Sequence, residues 1–185
     1  MSKEINWKLL KRDIDKWNQL RTFEEKNQIQ IDLSGVDLGN ANLEGANLSN
    51  CNLSNANLIG SSLRFADLRG SDLTKCNLIG VNLRLANLRD SYIIQAKLNR
   101  ANLSEANMIG CTLNESDLSH ANLYETELIG AYLYKTNLSN AQLVNTHLTK
   151  AYLVRANLDF AVLNNTDLRW ANLSQVDLSK IISDD

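Results

Sequence analysis

With 185 residues and a formal net charge of −2, the chain is sized for one folded unit and is too nearly neutral for a bulk electrostatic pull toward nucleic acid or an anionic membrane. Charged residues run through the N-terminus, where a secretory signal would need an apolar core, and no apolar run is long enough to span a bilayer. A cytoplasmic protein with no membrane segment is expected.

Residues 1–30 differ in kind from the remainder of the chain. In INWKLLKRDIDKWNQLRTFEEKNQ the apolar residues Leu10, Ile14, Trp17 and Leu20 recur between charged ones, which predicts an amphipathic helix. Ile5, Trp7 and Leu9 extend the pattern less cleanly.

From Ile31 to Lys180 the chain repeats every five residues without a slip. Every fifth residue from Leu33 to Leu178 is Leu, except for Ile93 and Met108, and two residues before each stands something small or β-branched, such as Ile31, Val36, Ala41, Ala46 and Cys51. A period of five fits neither the helical 3.6 nor the strand 2, so the repetition itself must generate the fold. A short extended segment points the small residue and the Leu the same way, inward, and the residue between them outward. The other two residues must turn the chain. Seven of the eight glycines fall two residues after the Leu, as do Asn40, Asn50, Asn55, Asn140, Asn145 and Asn165, which suits a corner with positive φ. Phe65, Leu85, Phe160 and Trp170 occupy the same slot, so a second corner geometry without positive φ is expected there.

Units such as ANLEG, ANLSN, ADLRG and SDLTK resemble the A(D/N)LXX motif of the pentapeptide-repeat proteins, over about four-fifths of the chain. The resemblance implies an all-β solenoid: a right-handed, quadrilateral β-helix with four units, or 20 residues, per coil. The 150 residues of 31–180 then make about 7.5 coils, a rod roughly 36 Å long. Residues 1–30 become an N-terminal helical cap, since an open end would expose leucines and strand edges, with Trp17 or Leu20 over Leu33, Leu38 and Leu43. LLKRDIDKWNQLR is also similar to a leader found in some cyanobacterial members. Residues 181–185 form a short tail; Ile181 and Ile182 either fold over the last coil or leave it to a second copy. Resemblance to the gyrase-protecting members implies a homodimer through that C-terminal end.

Two outward clusters stand out when residues are sorted into columns 20 apart. Arg64 and Arg84 stack on one side and Arg69 and Arg89 on the next, with Phe65 and Leu85 at the shared corner. Arg forks bind carboxylates or phosphates bidentately, although Asp67, Asp72 and Asp90 are near enough to neutralise them. The second cluster is Tyr92, Tyr132 and Tyr152 in one column and Ile94, Tyr134 and Val154 in the column beside it, interrupted at Thr112 and Asn114. Outward aromatics with a polar end are typical of interfaces, and cross-coil stacking is the alternative.

No catalytic, cofactor or metal constellation is visible. His120 and His147 fall on different sides, and Cys51, Cys76 and Cys111 all lie in the inward column as compact core residues. Cys51 and Cys111 share a side but sit three coils apart, roughly 14 Å, too far for a disulfide. The expected function is therefore non-enzymatic: a rigid surface for an unidentified protein partner, in keeping with regulatory members of the family. The alternative is a gyrase-binding DNA mimic, or a weak nucleic-acid binder through Arg64, Arg69, Arg84 and Arg89. Mimicry is disfavoured because residues 31–180 mix 14 Asp or Glu with 12 Lys or Arg.

Overall fold

The computed structural model describes residues 3–26 and 30–183. Two helices, α1 (Lys3–Arg12) and α2 (Ile14–Lys26), precede a stack of short extended segments joined only by parallel bridges. Each bridge links a residue to the one 20 positions later, beginning with Asp32 and Asn52, so four units close one coil. Leucines 33 to 163 and their replacements Ile93 and Met108 are buried along the axis, with the small-residue column beside them.

The unit's sequence follows from its backbone hydrogen bonds. In residues 51–55, Asn52 N–H donates to Ile31 O in the previous coil, while Leu53 and Asn55 N–H donate to Asp72 O and Thr74 O in the next. Cys51 N–H closes the turn on Leu48 O. One donor remains, Ser54 N–H, and the Asn52 side-chain oxygen accepts it at 3.0 Å. All five donors are thus satisfied, which buried backbone requires. The same side-chain bond recurs from Asp32 to Asp177, which is why Asp and Asn fill the outward slot. Some of these side chains also ladder between coils, as Asn57 does to Asp37 at 2.8 Å.

The corners depart from expectation. Every corner residue from Gly35 to Gln175 has positive φ, including Phe65 at 57°, Leu85 at 60°, Phe160 at 60° and Trp170 at 64°. With the turn bond from residue four to residue one, this is a type II pattern. Local preference opposes it by roughly 1 kcal/mol or more per bulky residue. Stacking overrides that preference, because a corner N–H such as that of Phe65 must meet a carbonyl of the next coil, here Arg84 O at 3.2 Å. A corner of different shape would lose that bond.

The N-terminal segment is two helices rather than one. Asp13 interrupts them: its carboxylate accepts Lys16 N–H at 3.0 Å, an N-cap for α2, and this bond holds the Asp13 carboxyl below its usual range. Leu10 and Trp17 are fully buried, and Trp7, Leu9, Ile14 and Leu20 pack partly against the same core. Trp17 Nε1 donates to Asn47 O at 2.8 Å, Asn18 Nδ2 to Gly45 O at 3.0 Å, and the buried Arg21 to Ser49 O at 2.6 Å. Asn18 Oδ1 in turn accepts Asn47 N–H at 2.8 Å. In the register of the repeat, Asn47 O and Ser49 O are carbonyls that would face a preceding coil, as Asn52 O and Ser54 O face Leu33 and Gly35. The side chains of α2 supply those donors instead.

The far end differs. Among the described residues no bridge joins Asn157 to Asp177, while Ile182 extends the ladder by pairing with Val162. Ile181 packs partly against the core, but Leu178 and Ile182 are exposed. Ile182 therefore continues the coil rather than folding over it.

Candidate interaction site

A solenoid side is a set of parallel columns whose members sit one coil apart, so side chains 20 residues apart touch. On the side that carries residues 92, 112, 132 and 152, the rings of Tyr132 and Tyr152 stack with centroids 5.0 Å apart and planes 5° from parallel. Both remain about half exposed, as does Tyr92, which Thr112 separates from them. In the adjoining column Ile94, Tyr134 and Val154 are partly buried. Tyr132 occupies the slot that usually holds Asn or Asp, so Tyr134 N–H turns to Asn114 Oδ1 in the previous coil, at 2.9 Å. The Tyr134 ring lies under Lys135 Nζ at 5.3 Å, and its hydroxyl accepts a long bond, 3.5 Å, from Arg155.

The arginine cluster is arranged differently. Arg64 approaches Glu44 at 3.6 Å and lies 5.0 Å from the Phe65 ring centroid. Arg69 forks onto Asp67, Arg84 places Nε and Nη2 on Glu105 Oε1, and Arg89 meets Asp90 at 3.2 Å. Every guanidinium of the four has a carboxylate, although Glu44 and Glu105, from neighbouring coils, take the places that Asp72 was expected to share. Asp72 is occupied in accepting Thr74 N–H. Phe65 and Leu85 are both exposed.

The cysteines are free and buried, and burial pushes the Cys76 thiol up to about 12 and raises that of Cys111 as well. Such thiols stay protonated near neutral pH, which suits packing rather than metal or redox work. His147 lies 3.6 Å from Glu127. Among the described residues no group of three His, Cys, Asp or Glu side chains is placed to hold a metal ion.

Several residues at the surface and under the cap carry more than their sequence slots suggest. Trp170 stands 83% exposed at the corner next to the tyrosine side, one coil beyond Lys150. Lys150 and Arg155 flank Tyr152, and Lys135 follows Tyr132 and Tyr134. Arg21 is buried beneath α2, where the helical pattern alone gives no reason to place a charge. A large aromatic on an outward corner is the readable signal for Trp170, although its slot marks it first as a turn residue.

Among the described residues no helix is long and apolar enough to cross a membrane. Among curated proteins no relative matches the chain. Two trypsin-treated variants of QnrB1, a plasmid-mediated fluoroquinolone resistance protein, are similar in structure. One has TM-score 0.50 at 21% identity over 84% of each chain. The other has 0.51 at 22%, covering 85% of this chain and 83% of that one. HetL, a pentapeptide-repeat protein involved in heterocyst differentiation regulation in Nostoc sp. strain PCC 7120, is 27% identical over 89% of this chain and 95% of its own, with TM-score 0.35. The likeness to QnrB1 shows the fold, the right-handed quadrilateral β-helix. The family model for pentapeptide repeats matches residues 31–70, 51–90, 66–104, 101–140 and 141–179, and the chain belongs to the pentapeptide-repeat family.

Proposed function

We propose that this is a non-enzymatic cytoplasmic interaction protein. Its β-helix of about 7.5 coils, capped by residues 1–30, presents the side bearing Tyr132, Tyr134, Tyr152 and Val154 to a protein partner. The observation that carries the reading is the stacked Tyr132 and Tyr152 pair, left half exposed on a rigid face. Aromatics with few rotatable bonds lose little entropy on docking and supply much of the energy of an interface. The arginine cluster supports a nucleic-acid role poorly, because each of its charges is already neutralised. A gyrase-directed DNA mimic would need a dense acidic face, and the 14 acidic and 12 basic side chains of residues 31–180 are interspersed.

The double variant Tyr132→Ser/Tyr152→Ser should lose partner capture in pull-downs from bacterial lysate while its stability falls by only about 1–3 kcal/mol, the aromatic pair together with the area that two half-exposed rings cover. A much larger loss, with capture unchanged, would make the stack a purely structural device. A second copy is a further partner suited to the last coil, where Leu178 and Ile182 are exposed. Light scattering should then give a dimer mass at high protein concentration; a monomer mass throughout would exclude end-to-end pairing.

A further inference from the structure

From Leu128 to Leu158 the chain runs 31 residues without an acidic side chain, and within that belt stand Lys135, Lys150 and Arg155. At 20 residues per coil the belt covers about one and a half coils (31/20), all round the rod. Of the carboxylates that border it, Asp159 and Asp167 have cations of their own and Glu127 stands beside an imidazole. Glu127 faces His147 at 3.6 Å, Asp159 is bound by Lys180 at 2.8 Å, and Asp167 is held by Arg169 at 2.7 Å. Glu115, one coil before Lys135 in the same corner column, accepts from Gln95 at 2.8 Å.

Among the described residues Lys135, Lys150 and Arg155 have no carboxylate partner. Lys135 lies over the Tyr134 ring, Arg155 donates to Gln175 Oε1 at 2.6 Å, and Lys150 is exposed. They occupy both edges of the tyrosine side: Lys150 at the corner before it, Lys135 and Arg155 at the corner after it. Trp170 adds an exposed indole one coil beyond Lys150, on a left-handed corner where folding gives it no burial in return. Apolar surface with one unneutralised cation on one edge and two on the other is complementary to one kind of ligand, a chain that alternates carboxylates with apolar groups.

We propose that the tyrosine side binds an acidic, extended peptide segment of a partner protein. Carboxylates of the segment meet Lys150 on one edge and Lys135 and Arg155 on the other, and its aromatic or aliphatic side chains lie on Tyr132, Tyr152 and Trp170. This rests on the proposal that the tyrosine side is the interface. Single-stranded nucleic acid fits less well, since its affinity grows with the number of phosphates neutralised and three cations neutralise few.

The test is selection from a random 12-residue peptide display library on the full chain at physiological salt. The selected peptides are then titrated against wild type, Lys135→Glu/Lys150→Glu/Arg155→Glu and Tyr132→Ser/Tyr152→Ser, each confirmed folded by its melting curve. The expected result is enrichment of net-negative peptides carrying an aromatic or aliphatic residue, bound at least tenfold more weakly by both variants and more weakly as salt rises. Enriched peptides without net negative charge that are lost only on the tyrosine variant would overturn acid selectivity and leave the interface reading standing. Peptides whose binding survives both variants, or no enrichment at all, would overturn the inference; survival in the tyrosine variant would also remove the interface reading. Saturable binding of a 20-nucleotide single strand in preference to every selected peptide would replace the acidic peptide with nucleic acid.

Discussion

Replacing Leu98 with Asp should abolish cooperative unfolding. Leu98 is fully buried in the middle of the rod, and its backbone is fixed by bonds from its N–H to Asp117 O and from Ala101 N–H to its own carbonyl. The side chain cannot swing out without breaking both. Losing the leucine alone costs about 2–5 kcal/mol in a packed core. A carboxylate facing a channel of Leu and small residues adds an unpaired buried charge, worth several kcal/mol more. The sum approaches the roughly 5–15 kcal/mol that holds a typical domain folded. Because each coil is stabilised by its neighbours, damage at mid-rod also divides the stack into two shorter ones. Circular dichroism should show no single sigmoidal transition for the variant, whereas Leu98→Met, which conserves volume, should stay within about 1.5 kcal/mol of wild type. A normal melting curve for Leu98→Asp would sink the inward assignment of the whole leucine column.

The interior was legible because burial repeats: Leu at every fifth position and a small residue two before it leave a single orientation for both. The outward Asp and Asn slot shows its reason only in the structure, where the side chain accepts the one backbone N–H that coil pairing leaves over and in places ladders between coils. Corner shape was not legible at Phe65, Leu85, Phe160 and Trp170, because local φ preference pointed one way and the bonds to adjacent coils pointed the other. The helix break was readable in principle from Asp13, a good N-cap residue, but the apolar spacing of Leu10, Ile14, Trp17 and Leu20 runs straight across it. The arginine cluster was visible as columns, while its pairing with Glu44 and Glu105 depends on how long side chains reach between coils. Conversely, the acid-free belt from Leu128 to Leu158 is plain in the sequence, but it lies along the chain and not down any one column.

Deleting residues 1–26 should make the protein aggregate. The first coil owes its burial to α1 and α2: Leu33, Leu38 and Leu43 are fully inaccessible, and Leu10 and Trp17 belong to the same core. Removal would expose those leucines together with the carbonyls of Gly45, Asn47 and Ser49, which now accept from Asn18, Trp17 and Arg21. Asn47 N–H would lose Asn18 Oδ1 as well. What remains is an apolar surface rimmed by unsatisfied strand edges, a template for pairing with any similar edge. Truncating Trp17 to Ala tests the same contact more gently, with an expected loss of about 3–5 kcal/mol read from the denaturant midpoint. For the deletion the measurement is size-exclusion chromatography with light scattering, and large soluble or insoluble assemblies are expected. A monodisperse truncation that melts like the full chain would show that the first coil closes without help, and would free α1 and α2 for a role in binding.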